Sequence, residues 1–433
     1  MSSTQLKINN SILVNLRKSI IFLLFFFFSA TLQAQDTIQR IVPGRKNAAT
    51  QLNKPYVILI SADGFRYDYA DKYQAKNLLK LAGSGVKAVS MIPCFPSVTY
   101  PNHYSIATGL YPSHHGLVYN QFYDRSRKAT YNISDRKTVE DASWYGGTPI
   151  WVLAEQQRML TASYYFVGDE APIKQTYATY RYQYSDKSNI DDRINRVVDW
   201  LQLPEETRPH LICFYISDVD HNGHMFGPDA PQTRDAVQFV DKAMGSLAKK
   251  VNALGLPVNF IFLADHGMAA VDTVTRIDIA AMIDSSQFVI RGGNTSLHLY
   301  AKDSTVIRPI YALLKKKENA FTVYLRKDIP SKWHFTRTDD RFNRIGDIFV
   351  VPQYPKVLSS NNSRINPGAH GFDPAMKNMH AVFYAWGPQI KAGITISSFE
   401  NIHVYPMICR ILGLTISEQI DGDPAVLKRI IKK

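Results

Sequence analysis

The sequence predicts an α/β fold around a mainly parallel sheet, with a smaller α+β insertion late in the chain. Three observations carry this reading. Runs at Tyr56–Ile60, Leu211–Ile216, Phe260–Leu263 and Ala381–Ala385 are short, apolar and closed by turn residues, as buried strands are. Helical patterns over Ala75–Gly83, Pro149–Arg158, Ile190–Leu203 and Thr233–Leu254 lie between them, and such alternation gives parallel pairing. Polar, ligand-type residues follow several of the strands, where open α/β sheets collect their ligands.

The elements follow in chain order. Lys7, Arg17 and Lys18 precede the apolar run Ile20–Phe28, and small residues lead to Ala34–Gln35. A basic start, a short apolar stretch and a small residue at the cut predict a secretory signal over residues 1–34. The alternative is a membrane anchor, but the run falls short of the roughly 20 residues that span a bilayer. No second run of spanning length follows. Residues 35–54 are polar and without apolar periodicity, which predicts a linker. The globular part is expected over 55–433. A loop-rich, tyrosine-rich stretch, about 121–185, is expected to border a substrate. Residues 275–365 carry short β-like runs at 288–291, 296–300, 322–325 and 348–351, which predict a cap packed beside the site.

Composition narrows the partners. The chain has 433 residues and a formal charge of +13, which falls to about +10 without the three leader cations. That balance favours anionic substrates. Apart from Lys315–Lys317 and the run 428–433 the basic residues are dispersed, so no stable nucleic-acid partner is expected. Only Cys94, Cys213 and Cys409 occur, too few and too far apart for a disulfide framework or a CxxC metal knuckle. An exported chain so poor in cysteine is expected to be bacterial, and periplasmic or secreted.

The chemistry sits in scattered residues. Asp63 follows the first strand, Asp220 and His224 the second, Asp265 and His266 the third, and His370 stands between glycine-bearing turns. Taken singly, Asp63 is an ordinary end-of-strand turn and His370 an ordinary loop histidine. Asp220 and His224 are spaced to converge on one ion. Together the set supplies three carboxylates and three imidazoles, a donor mixture suited to zinc better than to magnesium. Thr99, an isolated hydroxyl between the first two clusters, completes what a two-metal phosphoryl-transfer site needs. His221 and His380 read as outer or structural residues, and His115 as one that orients the site. Cys94-Phe-Pro-Ser97 resembles the start of a sulfatase motif, but Val98 stands where that motif requires Arg.

The segment TYPNHYSIATGLYP (99–112), followed by His115-Gly116 and Asn120, closely resembles nucleotide pyrophosphatase/phosphodiesterases of the alkaline phosphatase superfamily. DHNGHMFGP (220–228), ADHGM (264–268) and GAHGF (368–372) match the later motifs of that family in the same order. The resemblance spans about 55–415 and implies an alkaline-phosphatase-like fold. It implies two Zn²⁺, one held by Asp220, His224 and His370, the other by Asp63, Asp265 and His266. Thr99 would be the nucleophile, its hydroxyl ligated to the second zinc, and would pass through a phospho-threonine ester. Asn120 would donate to a nonbridging phosphoryl oxygen, and Tyr100 would pack on a nucleobase. The implied partner is a nucleotide or other phosphodiester small molecule, and the implied product a nucleoside monophosphate. Two segments depart from the family pattern: SDVD (217–220) lacks the usual acid pair and proline, and FVGDE (166–170) replaces WPGSE. The rival readings are a phosphomonoesterase, a phospholipid or phosphonate hydrolase, and a binding protein without catalysis. A monoesterase of this type often adds a Lys-x-Arg pair, for which only Lys174 and Arg181 lie near.

Overall fold

The computed structural model describes residues 38–185, 188–360 and 363–432; the expected leader lies outside them. At its centre is a nine-stranded sheet. Its order is Gln39–Ile41, Tyr180–Tyr182, Thr161–Tyr164, Leu211–Ile216, Tyr56–Ala62, Val258–Leu263, Phe383–Trp386, Val86–Ala88 and Ile394–Ile396. The five strands from Tyr180–Tyr182 to Val258–Leu263 run parallel. Antiparallel pairs appear only toward the edges, so the sheet is mixed with a parallel heart. Tyr56–Ala62 is buried along its whole length, which is why it reads as one unbroken apolar run rather than an alternating one.

Register decides where the chemistry goes. Ala62 pairs with Ile216 and Ser61 with Leu263, so three neighbouring parallel strands end level with one another. Asp63, Ser217 and Ala264 therefore leave the sheet at one edge. The strand Phe383–Trp386 runs the other way, Phe260 opposite Trp386, and begins two residues later than its apolar run.

The flanking helices follow their sequence signals. Ile190–Gln202 is capped by the Asn189 side chain, carries Asp191 and Asp192 in its first turn, and buries Ile194, Val197, Trp200 and Leu201. Pro231–Asn252 starts two residues before its apolar pattern because Pro231 is pre-set for the first helical turn.

Two expectations need correction. Inside the presumed linker, Gln39–Ile41 is the edge strand of the central sheet, paired with Tyr180–Tyr182, and Asn47 accepts a hydrogen bond from the Leu160 amide (2.8 Å). A three-residue edge strand is paired on one side and largely exposed, so it carries no apolar signature. Within 121–185, Thr161–Tyr164 and Tyr180–Tyr182 are central-sheet strands rather than loop. Their tyrosines supply apolar bulk to the core, with Tyr164 stacked on Tyr182 at 4.4 Å.

Late in the chain a separate antiparallel sheet forms in the order Phe288–Gly292, Leu297–Ala301, Ile348–Pro352, Phe321–Leu325, with helix Ile307–Lys316. It has its own small core, including Phe288, Leu299, Leu314, Phe321 and Val350. The three cysteines are buried free thiols; Cys94 Sγ donates to Asn401 Oδ1 at 3.0 Å, a packing role.

Candidate functional site

Helix Asp218–Phe226 begins directly after strand Leu211–Ile216, so Asp220 and His224 stand one turn apart on one helix face. Asp63 occupies the turn after its own strand. The next residue, Gly64, has φ +68°, and a Cβ there would come within 2.9 Å of the Asp220 backbone and side chain. Only glycine lets the two segments approach this closely. The Gly64 amide donates to Asp265 Oδ1 (3.2 Å), which ties the first and third strand ends together.

The six residues converge. Ligand-type atoms of Asp63, Asp265 and His266 lie within 4.8 Å of one another, as do those of Asp220, His266 and His370. His224 Nε2 and His370 Nε2 are each 3.5 Å from Asp220 Oδ1. His266 thus stands between the two groups instead of belonging to one alone, and its ring stacks on His370 at 3.5 Å.

The imidazoles share one orientation. Nδ1 of His224 faces the Gly368 carbonyl, Nδ1 of His266 that of Gly267, and Nδ1 of His370 that of Ser97, each at 2.9 Å. A carbonyl only accepts, so each Nδ1 carries the proton and each Nε2 keeps its lone pair for the centre. The carboxylates tell the same story. Asp63 Oδ1, Asp220 Oδ1 and Asp265 Oδ2 are buried without a hydrogen-bond partner. Burial first, then repulsion from Asp265 and Asp220, pushes the Asp63 carboxyl well above its ordinary range. Among the described residues no Lys or Arg pairs with any of the three. Orphaned carboxylate oxygens facing imidazole lone pairs fit divalent cations, which would neutralise the one and accept the other.

Thr99 is the first residue of helix Thr99–Thr108, and its Oγ1 lies 3.3 Å from His266 Nε2. The positive end of the helix dipole therefore faces any negative charge forming at that hydroxyl. Asn120 Oδ1 accepts from the Tyr100 amide (3.0 Å), so its Nδ2 donors are the ones left over. Tyr100 packs on Tyr131 at 6.3 Å and also lines the cleft with Thr99.

That cleft measures about 1240 Å³ and runs between the sheet edge and the late insertion, with Ile290, Asn294 and Leu297 on the far wall. Tyr165 and Tyr184, from the tyrosine-rich stretch, line it. In the departing segment, Asp169 is buried and accepts from the Ser163 hydroxyl. Glu170 accepts from Arg136 and from the Tyr184 amide, both at 2.9 Å. These acids hold the loop in place.

Two residues escaped the sequence reading. Tyr215 donates its hydroxyl to Asp63 Oδ2 at 2.6 Å. His103 faces Asp265 Oδ2 (3.3 Å), the Thr99 carbonyl (3.0 Å) and Ser61 Oγ (2.8 Å). His103 lies one helical turn after Thr99, the signal that places it on the same face. Other histidines are structural or peripheral: His380 bonds Ser90 and the Pro374 carbonyl, His114 bonds Asp421, and His221 is exposed at the cleft rim.

His115 ties helix Thr99–Thr108 to the following turn through Ser105 Oγ (3.0 Å) and the Pro101 carbonyl (3.2 Å). Burial lowers its pKa from 6.5 to about 3, so it stays neutral in the fold. A histidine depressed in this way binds fewer protons folded than unfolded, and its cost grows as pH falls below 6.5. Denaturant titration at pH 7 and pH 5 is expected to show about 2 kcal/mol lost on this account, a loss that His115→Gln removes. An unchanged pH dependence in that variant contradicts it.

With the geometry in view, comparison with known proteins is direct. The profile of the family described as type I phosphodiesterase/nucleotide pyrophosphatase matches residues 57–373. A venom phosphodiesterase of Macrovipera lebetinus is 34% identical over 372 residues, covering 83% of this chain and 43% of its own length. An uncharacterized pyrophosphatase/phosphodiesterase of Schizosaccharomyces pombe is 35% identical over 397 residues, covering 86% of this chain and 80% of its own. The chain thus spans less than half of the venom relative. Murine ectonucleotide pyrophosphatase/phosphodiesterase 5 superposes with a TM-score of 0.82 at 25% identity, over 87% of this chain and 100% of that one. The same enzyme is known as an inactive threonine-to-alanine variant in complex with AMP.

Proposed function

Because this chain belongs to the type I phosphodiesterase/nucleotide pyrophosphatase family, we propose that it cleaves nucleotide-type phosphodiester or pyrophosphate bonds and releases a nucleoside monophosphate. The observation that carries the reading is Thr99. Its hydroxyl stands at a helix N-terminus, 3.3 Å from His266 Nε2, beside the orphaned carboxylates. In this reading Asp220, His224 and His370 hold one zinc and Asp63, Asp265 and His266 the other. Bound cations of this kind lower the pKa of a ligated hydroxyl and offset charge on a departing oxygen.

The chain's own residues do the rest. Thr99 Oγ1 gives up its proton to solvent and bonds to phosphorus as the opposite P–O bond breaks. The leaving alkoxide or phosphate departs with that electron pair, and water then cleaves the phospho-threonine ester and restores the hydroxyl. Asn120 Nδ2, aimed by the Tyr100 amide bond to Oδ1, donates to a nonbridging oxygen. Tyr100 meets the nucleobase at the cleft wall, in keeping with the AMP carried by the murine relative. Tyr215 and His103 hold Asp63 and Asp265 in place. The leader signature supports export, and the venom relative is in keeping with it. No helix among the described residues is long and apolar enough to cross a membrane.

A monoesterase would need cations for the extra phosphate charge, but Lys174 pairs with Glu418 and Arg181 lies over the Tyr177 ring at 3.6 Å. The test is kcat/KM for thymidine monophosphate p-nitrophenyl ester, bis-p-nitrophenyl phosphate and p-nitrophenyl phosphate. The expected order is nucleotide ester, simple diester, monoester. A preference for the monoester overturns the function, and equal rates for the two diesters remove the nucleobase role of Tyr100.

A further inference from the structure

Arg344 belongs to the late insertion, yet its guanidinium is only 2% exposed and reaches into the segment that carries Asn120. Its Nε donates to Asp124 Oδ2 (2.9 Å) and its Nη1 to the carbonyls of Gly116 (2.9 Å) and Trp144 (2.7 Å). The rings of Phe342, Trp144 and Phe122 surround it at 4.7, 5.1 and 5.4 Å. Gly116 has φ +87°, and a Cβ there would sit 2.6 Å from Nη1, so glycine makes the approach feasible. Asp124 is fixed in turn: its Oδ1 accepts from the Ser126 amide and hydroxyl and from the Arg127 amide.

Gly116 and Asp124 bracket Asn120. Between these two anchors the Asn120 carbonyl accepts from the Ile133 amide (3.1 Å) and its Oδ1 from the Tyr100 amide (3.0 Å), next to Thr99. The insertion grips the same segment elsewhere, with Tyr119 Oη 3.2 Å from Thr295 Oγ1 and the Tyr123 amide donating to the Tyr300 hydroxyl at 3.3 Å. The Asn120 segment is therefore docked on the insertion through a buried, planar, multidentate cation.

We propose that Arg344 is a positioning residue: it clamps Gly116 and Asp124, and so sets where Asn120 presents its amide beside Thr99. This rests on the role given to Asn120 above. The insertion would then be part of the catalytic machinery as well as a wall of the cleft. Lysine cannot replace the fork, because a point-like ammonium does not span the same three acceptors. A shift of the Asn120 amide by a fraction of an ångström weakens a bond needed mostly in the transition state, so kcat suffers and KM does not.

The experiment is a double-mutant cycle on the metal-loaded full chain with the nucleotide ester as substrate. Arg344→Lys alone is expected to lower kcat about 10–100-fold with KM within about twofold. In an Asn120→Ala background the same change is expected to cost less than about threefold, since the group it aims is gone. Additive losses, or a KM effect as large as the kcat effect, overturn the inference and assign Arg344 to general stability. If Arg344→Lys does not fold, Asp124→Asn, which loosens the same clamp, carries the cycle with the same criteria. Full activity of Asn120→Ala by itself refutes the role of Asn120, and this inference with it.

Discussion

Thr99→Ala is expected to lower kcat on a nucleotide ester by about 10⁴-fold or more, the loss typical of removing a covalent nucleophile. Bound metal and melting temperature are expected to stay close to those of the parent. The physical reason is that Thr99 makes little of the fold. It is the first residue of its helix, flanked by Val98 in extended conformation, and its hydroxyl caps nothing. Alanine also favours helix more than threonine does. Among the described residues the Thr99 hydroxyl pairs with His266 Nε2 at 3.3 Å. What vanishes is the atom that bonds to phosphorus in the proposed reaction. Turnover within tenfold of the parent would remove Thr99 as the nucleophile; loss of metal along with activity would make it a structural ligand instead.

Chelation should have the second large effect, and it acts on stability as well as rate. Asp63, Asp220 and Asp265 each have a buried oxygen without a partner, and the three share one edge of the sheet without a pairing Lys or Arg among the described residues. Bringing like charges together in a buried place costs free energy that a bound divalent cation returns. Two ions each present at about a thousand times their Kd contribute about 4 kcal/mol apiece. Dialysis against a strong chelator is thus expected to lower Tm by on the order of 10 °C and activity by about 10³-fold or more. Zinc is expected to restore both, and magnesium to restore less, because three ligands are imidazoles. A chelated protein with unchanged melting and full turnover would leave the site without a metal function. Elemental analysis of the restored protein then counts the ions, with two expected.

Much of this site was legible before any coordinates. Asp63, Asp265 and His266 follow unbroken apolar runs, and such runs mean buried strands whose ends carry function in parallel sheets. Thr99 stood out as an isolated hydroxyl between the ligand clusters, but Asn120 became visible only through resemblance, since a lone amide has no periodic signature. The edge strand Gln39–Ile41 was invisible for a different reason: it is largely exposed, three residues long, and held by backbone pairing and polar side-chain bonds that leave no apolar pattern. Tyr215 and His103 were hidden because each looks like a core residue in its own element. Their second function depends on which strand lies next door.

The sequence alone determined the fold class, the strand-end address of the chemistry and the donor types that suit a zinc-like ion. These are local properties, set by hydrophobic runs, turn residues and side-chain chemistry within a few positions. Only the tertiary structure decided the rest. It placed His266 between the two groups, turned the Nε2 lone pairs of His224 and His370 inward by bonding two distant carbonyls, and put Arg344 of the insertion under the Asn120 segment. These hydrogen bonds join residues 144 to 273 positions apart, and their geometry exists only after strand register and long-range packing have fixed which neighbours meet.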